Sequence, residues 1–101
     1  MDWTIIIARF IAGFLIGNGL PHLINGISGR RFPTPFAKPP AVGLSSPVTN
    51  VLWAAVNLAV GYWLLFGVGE FTGGFSNQML SFGLGLFLVS IALAWHFERV
   101  S

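Results

Sequence analysis

Three apolar runs, each about as long as a bilayer is thick, constrain this chain more than anything else in it. The first, "WTIIIARFIAGFLIGNGLPHLINGI", extends from about Trp3 to about Ile27. The second is "VTNVLWAAVNLAVGYWLLFGV", Val48 to Val68, and the third is "MLSFGLGLFLVSIALAWHF", Met79 to Phe97. A helix rises about 1.5 Å per residue, so roughly 20 apolar residues cross a hydrocarbon core of about 30 Å. Lipid offers the backbone no hydrogen bonds, so a run that crosses it must satisfy its own amides as a helix. Only 8% of the 101 residues are charged and 54% are hydrophobic, whereas a soluble domain carries about 25% charged residues. The expected fold is an all-α membrane protein, one bundle over residues 1–101 with helices near 3–27, 48–68 and 79–97.

Between the first two runs lies "SGRRFPTPFAKPPAVGLSSP", which holds five of the six prolines. Proline removes amide donors and fixes φ, so this stretch is not a regular helix, and its bare carbonyls do not belong in lipid. The expectation is a Pro-rich interfacial loop, with a short or re-entrant fourth element somewhere in 28–47 as the alternative. Phe32, Phe36, Val42 and Leu44 give it apolar surface to rest on a membrane or on the helices. Ser46 suits the N-cap of the second helix and Pro47 its first position. The second connection, "GEFTGGFSN", is short and glycine-rich, which predicts that the second and third helices form an antiparallel hairpin. Arg30, Arg31 and Lys38 in the first loop predict a cytoplasmic loop, an outer N-terminus and a cytoplasmic C-terminus, read here in a bacterial inner membrane. "MDWTIIIARF" has an acid where a secretory signal carries bases, so the first helix is expected to be retained.

Several chemistries are excluded. The chain has no cysteine, hence no disulfide, thiolate or Cys-based zinc site. The five basic residues form no stripe, and no stacking platform accompanies them, so nucleic acid is not an expected partner. Neither a serine–histidine–acid set, a carboxylate pair nor a phosphate cradle is present. An enzymatic role is therefore not favoured, and no catalytic residue is assigned. Two histidines without an intramembrane carboxylate supply too few ligands for a metal; no cofactor is predicted.

The polar residues within the apolar runs remain. Asn18, His22 and Asn25 are spaced i, i+4, i+7 and fall within an arc of about 60° on one helix face. Asn50, Ala54, Asn57 and Gly61 repeat the spacing, and Ser81, Gly85, Leu88, Ala92 and His96 form a small-residue stripe. The leading reading is mutual packing, since small residues let membrane helices approach and amides bridge them. The protein would then act by helix association, as a homo-oligomer or an accessory subunit of a membrane complex. The second reading is a ligand pocket built from Asn18, His22, Asn25, Asn50, Trp53, Asn57 and His96. It would take a lipophilic ligand such as a quinone or lipid, with His22 exchanging a proton, Asn18 and Asn57 orienting a carbonyl, and Trp53 packing on a ring. A minimal oligomeric transporter or channel is the third. Arg9 is expected to snorkel to the outer headgroups, with Glu70 as a candidate ion-pair partner. Pro21 deprives the Gly17 carbonyl of its donor and Gly19 weakens the same turn, so Gly17, Gly19 and Pro21 predict a kink or break.

"ARFIAGFLIGNGLPHLINGISG" resembles the opening helix of DoxX-like small bacterial membrane proteins, in which an arginine precedes a glycine-containing apolar helix and then a polar turn. "NLAVGYWLLFGV" is similar to their second helix. The resemblance covers about half the chain, and the family usually has four helices where three are counted here. It implies a helical bundle, in some members tied to quinone-linked redox or oxidative-stress complexes, and transfers no functional residue.

Overall fold

The first helix begins where the chain supplies a cap. The Asp2 carboxylate accepts the Thr4 amide at 2.9 Å, satisfying one of the donors that a helix start leaves unpaired. From there α1 runs Trp3–Ile27 in a computed structural model that describes residues 2–100. It closes through Gly29, whose φ of 74° is left-handed: the Gly29 amide bonds the Gly26 carbonyl and the Arg30 amide bonds the Asn25 carbonyl, a Schellman turn. As expected, Ser46 caps α2 (Pro47–Phe66), its hydroxyl accepting the Thr49 amide at 3.1 Å, with Pro47 in the first turn. The third helix, α3, is Asn77–Val100. The second run stops at Phe66 rather than Val68, because the chain turns at Gly67 and Gly69. The third extends further at both ends than its apolar stretch. The fold is all-α in character, and each helix is long and apolar enough to cross a membrane.

The proline-rich segment folds into no helix. It forms a minimal antiparallel pair, β1 (Phe32–Pro33) against β2 (Leu44–Ser45), with Phe32 opposite Ser45. The Thr34 hydroxyl lies 2.5 Å from that of Ser45 and accepts the Phe36 amide at 3.2 Å. Thr34 and Ala37 are buried, so the loop has a small interior of its own.

The arrangement of the helices departs from the expected hairpin. Both α2 and α3 pack along α1, and they make little contact with each other. The cause lies in where α1 carries glycine. A Cβ on Gly13 would collide with the Phe82 carbonyl, and one on Gly17 would press into Val89 and Leu86 of α3. On α2's side, a Cβ on Gly26 would meet the Pro47 carbonyl, and one on Gly19 would crowd Asn57 and Leu58. Gly17 and Gly26 are nine residues apart, which at about 100° per residue places them on opposite sides of the helix. A central helix with a glycine notch on each side can hold two partners at once.

Of the predicted kink or break, the structure excludes the break. Helix α1 is continuous through Pro21. A proline inside a helix costs one hydrogen bond and some steric strain, and the helix is nevertheless continuous there. Gly17 and Gly19 also serve close approach, to α3 and α2 respectively. The small-residue stripe of α3 is also partly redrawn. Ser81 donates its hydroxyl to the Ile6 carbonyl at 2.7 Å, and Gly85 is buried as the stripe predicts. Val89 is the other buried residue of that face, however, while Leu88 and Ala92 point outward.

Candidate functional site

Buried polar side chains gather at both ends of α1. At the first end, Arg9 is 0% exposed. Its Nε donates to the Gln78 Oε1 at 2.9 Å, its Nη1 to the Leu64 and Val68 carbonyls at 2.8 and 2.7 Å, and its Nη2 to the Glu70 carbonyl at 3.1 Å. Gln78 is fixed in turn, donating to the Glu70 carbonyl and accepting the Thr72 amide. Leu64 lies in the last turn of α2, where carbonyls lack helical donors and the helix dipole favours a cation.

Two expectations are corrected here. Arg9 does not snorkel: main-chain acceptors within reach hold it inside the protein. Nor does it pair with the Glu70 carboxylate, since the contact runs through the main-chain carbonyl and the Glu70 residue is exposed. Gln78 is not among the residues that the sequence singles out; its signal is a lone amide at the mouth of the third apolar run.

At the other end, His22 is 3% exposed and Asn50 fully buried. The Asn50 amide nitrogen donates to the carbonyls of Phe32 and Ser46 at 3.0 Å and of Ser45 at 3.3 Å. Its Oδ1 therefore faces the His22 Nδ1, at 2.8 Å. That oxygen only accepts, so Nδ1 carries the hydrogen and the neutral ring keeps a lone pair on Nε2. The same logic fixes His96. Its Nε2 is 2.7 Å from the Ala41 carbonyl and must donate, which leaves the lone pair on Nδ1. Ala41 has a φ of 61°, a conformation unfavourable for a side-chain-bearing residue. The His96 bond and the Ala41 amide's bond to the Thr34 carbonyl hold it there. Both histidines thus strap the proline-rich loop to the helices, His22 through Asn50 and His96 directly.

Of the other sequence candidates, Asn18 donates to the Asn57 Oδ1 at 3.0 Å, and Asn57 donates to the Trp53 carbonyl at 2.9 Å. These amides bind each other instead of standing ready to orient a ligand. Asn25 lies apart from the cluster: it donates to the Pro21 carbonyl and accepts from the Arg30 Nε, so it finishes α1. Asn18, His22, Trp53 and His96 do come together, around a cavity of about 100 Å³ that the loop residues Thr34 and Ala41 help to close. The Trp53 indole N–H is buried and has no hydrogen-bond partner, alone in this among buried side-chain polar atoms of the described residues. The edge of one ring of the Phe36–Trp53 pair meets the face of the other, with centroids 5.2 Å apart.

A larger hollow of about 270 Å³ lies at the opposite end, lined by residues including Asp2, Ile5, Thr72 and Asn77. It contains none of the sequence candidates. Among the described residues no group of three or more His, Cys, Asp or Glu could hold a metal ion.

No protein-family model matches the chain, and comparison with curated proteins and with solved structures returns no match either.

Proposed function

We propose that the protein is a small polytopic membrane protein that works by helix association, as a homo-oligomer or as an accessory subunit of a membrane complex. The observation that carries this reading is the way α3 is held. Among the helices it packs mainly on α1 and turns Leu80, Leu84, Phe87 and Ile91 outward, and a Cβ on Gly83 of that face would meet nothing within 4 Å. A three-helix layer with an uncovered helix at its flank has surface to share with another helix. Small residues on such a surface favour that over lipid contact. The polar groups of α1 and α2 add support, because most are spent on internal bonds. Arg9 is one such group. With it buried, the exposed cations Arg30, Arg31, Lys38 and Arg99 all lie at the loop end, which fits a cytoplasmic loop and C-terminus.

A binder of a quinone-sized ligand is less well supported. An apolar cavity of about 150 Å³ takes one benzene ring, and the cavity beside His22 is smaller than that at about 100 Å³. Native mass spectrometry of the protein released from mild detergent tests the association reading. Defined multimers, or a complex of fixed stoichiometry with another membrane protein, are expected. Single copies at every protein concentration, with no protein partner retained, would contradict it.

A further inference from the structure

The exposed charges of the described residues are sorted by sign along the molecule. At the end where α1 starts, Asp2 and Glu70 are exposed while Arg9 is buried. At the loop end Arg30, Arg31, Lys38 and Arg99 are exposed, with Glu98 as the one carboxylate among them. Two contacts bring the last turns of α3 against the loop and so place these cations on one end of the fold. His96 bonds the Ala41 carbonyl at 2.7 Å, and the Phe97 and Phe32 rings lie with centroids 4.6 Å apart. Arg30 is oriented by its Nε, which donates to the Asn25 Oδ1 at 2.9 Å. Its two terminal nitrogens are left for an acceptor outside the protein, in the fork geometry that suits a phosphate.

Apolar side chains share this end. In the loop Phe36 and Leu44 are 62% and 61% exposed. Ile27, Val48 and Trp95, at the loop-side ends of α1, α2 and α3, are each at least 60% exposed. Apolar surface therefore continues from the helices onto the loop, and the cations are interspersed with it. Lys38 follows Phe36 by two residues, and Arg99 lies over the Trp95 ring at 4.5 Å. Bases mixed with exposed apolar groups fit the boundary of a bilayer, where the apolar groups enter the hydrocarbon and the cations meet phosphates. A soluble acidic partner would account for the cations but not for apolar surface continuous with the outer faces of the helices.

We propose that the proline-rich loop and the last turn of α3 form a binding surface for anionic phospholipids of the membrane that the helices cross. Arg30, Arg31, Lys38 and Arg99 hold the headgroup phosphates, and Phe36 and Leu44 seat among the first acyl carbons. A zwitterionic headgroup also carries a phosphate, but its ammonium is repelled by the clustered cations, so the surface selects lipids of net negative charge. The inference rests on the membrane reading of the three helices and not on helix association.

The test is electron paramagnetic resonance on the full chain in phosphatidylcholine vesicles, with a trace of spin-labelled phosphatidylglycerol or spin-labelled phosphatidylcholine. The protein-restricted fraction of each label gives the relative affinity of the two lipids. Phosphatidylglycerol should associate at least threefold more strongly, and its advantage should shrink in about 1 M salt, where the screening length is about 3 Å. Arg31→Gln with Lys38→Gln removes two exposed charges, should fold, and should at least halve the preference. Equal affinity for the two lipids, or an unchanged preference in the double variant, would overturn the proposal. The chain has no cysteine, so Phe36→Cys accepts a single nitroxide that reports the depth of the loop. That label should collide more often with oxygen, which partitions into lipid, than with a water-soluble nickel chelate. The reverse order would overturn the seat at the acyl boundary and favour a soluble acidic partner. A chain that fails to insert into phosphatidylcholine vesicles would contradict the membrane reading as well, whereas one that inserts without lipid preference contradicts this surface alone.

Discussion

Around Arg9 the guanidinium donates four hydrogen bonds, three of them to main-chain carbonyls, and the Gln78 amide beside it is held from both sides. Around His22 the Asn50 amide is equally well bonded, yet each imidazole keeps one nitrogen free and Trp53 keeps an unpaired N–H. Both clusters are buried and both tie α1 to its neighbours. The first uses nearly everything it has on the fold, and reads as a clamp. The second holds the loop while leaving groups over. A fully paired network rigidifies, whereas a partly paired one holds less firmly.

The strongest way to break the comparison is at the clamp. Arg9→Met would leave the Leu64 and Val68 carbonyls without this donor, while the Glu70 carbonyl keeps the Gln78 amide. Each orphaned buried acceptor costs about 1–3 kcal/mol, and membrane reference states soften that, so a loss of about 3 kcal/mol is expected. Equilibrium unfolding in mixed micelles measures it, and a change below about 0.5 kcal/mol, the range of an ordinary surface substitution, would mean the clamp is incidental.

Asn50→Leu tests the strap at the other end. It removes the contact to His22 and the bonds to three loop carbonyls, for a loss of about 2 kcal/mol. The amides of residues 32–45 should then exchange with deuterium at least tenfold faster, while α1 keeps its protection. Equal protection in the loop would show that Asn50 does not hold it.

Next in size is a pair on α3. Gly85→Ala drives a methyl group at the Phe10 carbonyl and should cost about 1–3 kcal/mol as an overpacked contact. Gly83→Ala meets open space and should be neutral or stabilise the helix by up to about 1 kcal/mol. If the two variants melt alike, α3 does not sit on α1 along Gly85. The smallest effect belongs to Trp53→Phe, within about 0.5 kcal/mol of the parent, because no hydrogen bond is lost. A larger loss would show that the indole ring's packing, beginning with Phe36, outweighs its unpaired N–H.

Much of this molecule is legible in its residues. Length and apolarity locate the three helices, and Ser46-Pro47 marks the start of α2, because caps and hydrophobic runs are local signals. The i, i+4, i+7 pattern also finds the buried face of α2, with Asn50, Ala54, Asn57 and Gly61 all inside. Spacing shows that a residue shares a face but not which neighbour that face meets. For that reason the notches that Gly17 and Gly19 make for α3 and α2 do not show in the chain, where the same glycines read only as part of a kink or break. Arg9 reads as a snorkelling cation, since its acceptors are carbonyls of residues 55 to 61 positions away, and main-chain acceptors leave no trace in side-chain identity. Asn25 shares a stripe with His22, but the Schellman turn draws it into the helix end. Gln78 is hidden for the converse reason, standing alone with no pattern around it.

Side-chain deuterium exchange, followed by NMR in one bilayer sample, tests the contrast between the two ends most directly. The Arg9 Nε–H and the Gln78 amide should exchange slowly, as members of a closed network. The Trp53 indole N–H should exchange at least tenfold faster although it is buried, because no acceptor holds it. Equal and slow exchange at both ends would contradict this account, and so would an Arg9 that exchanges as fast as Trp53.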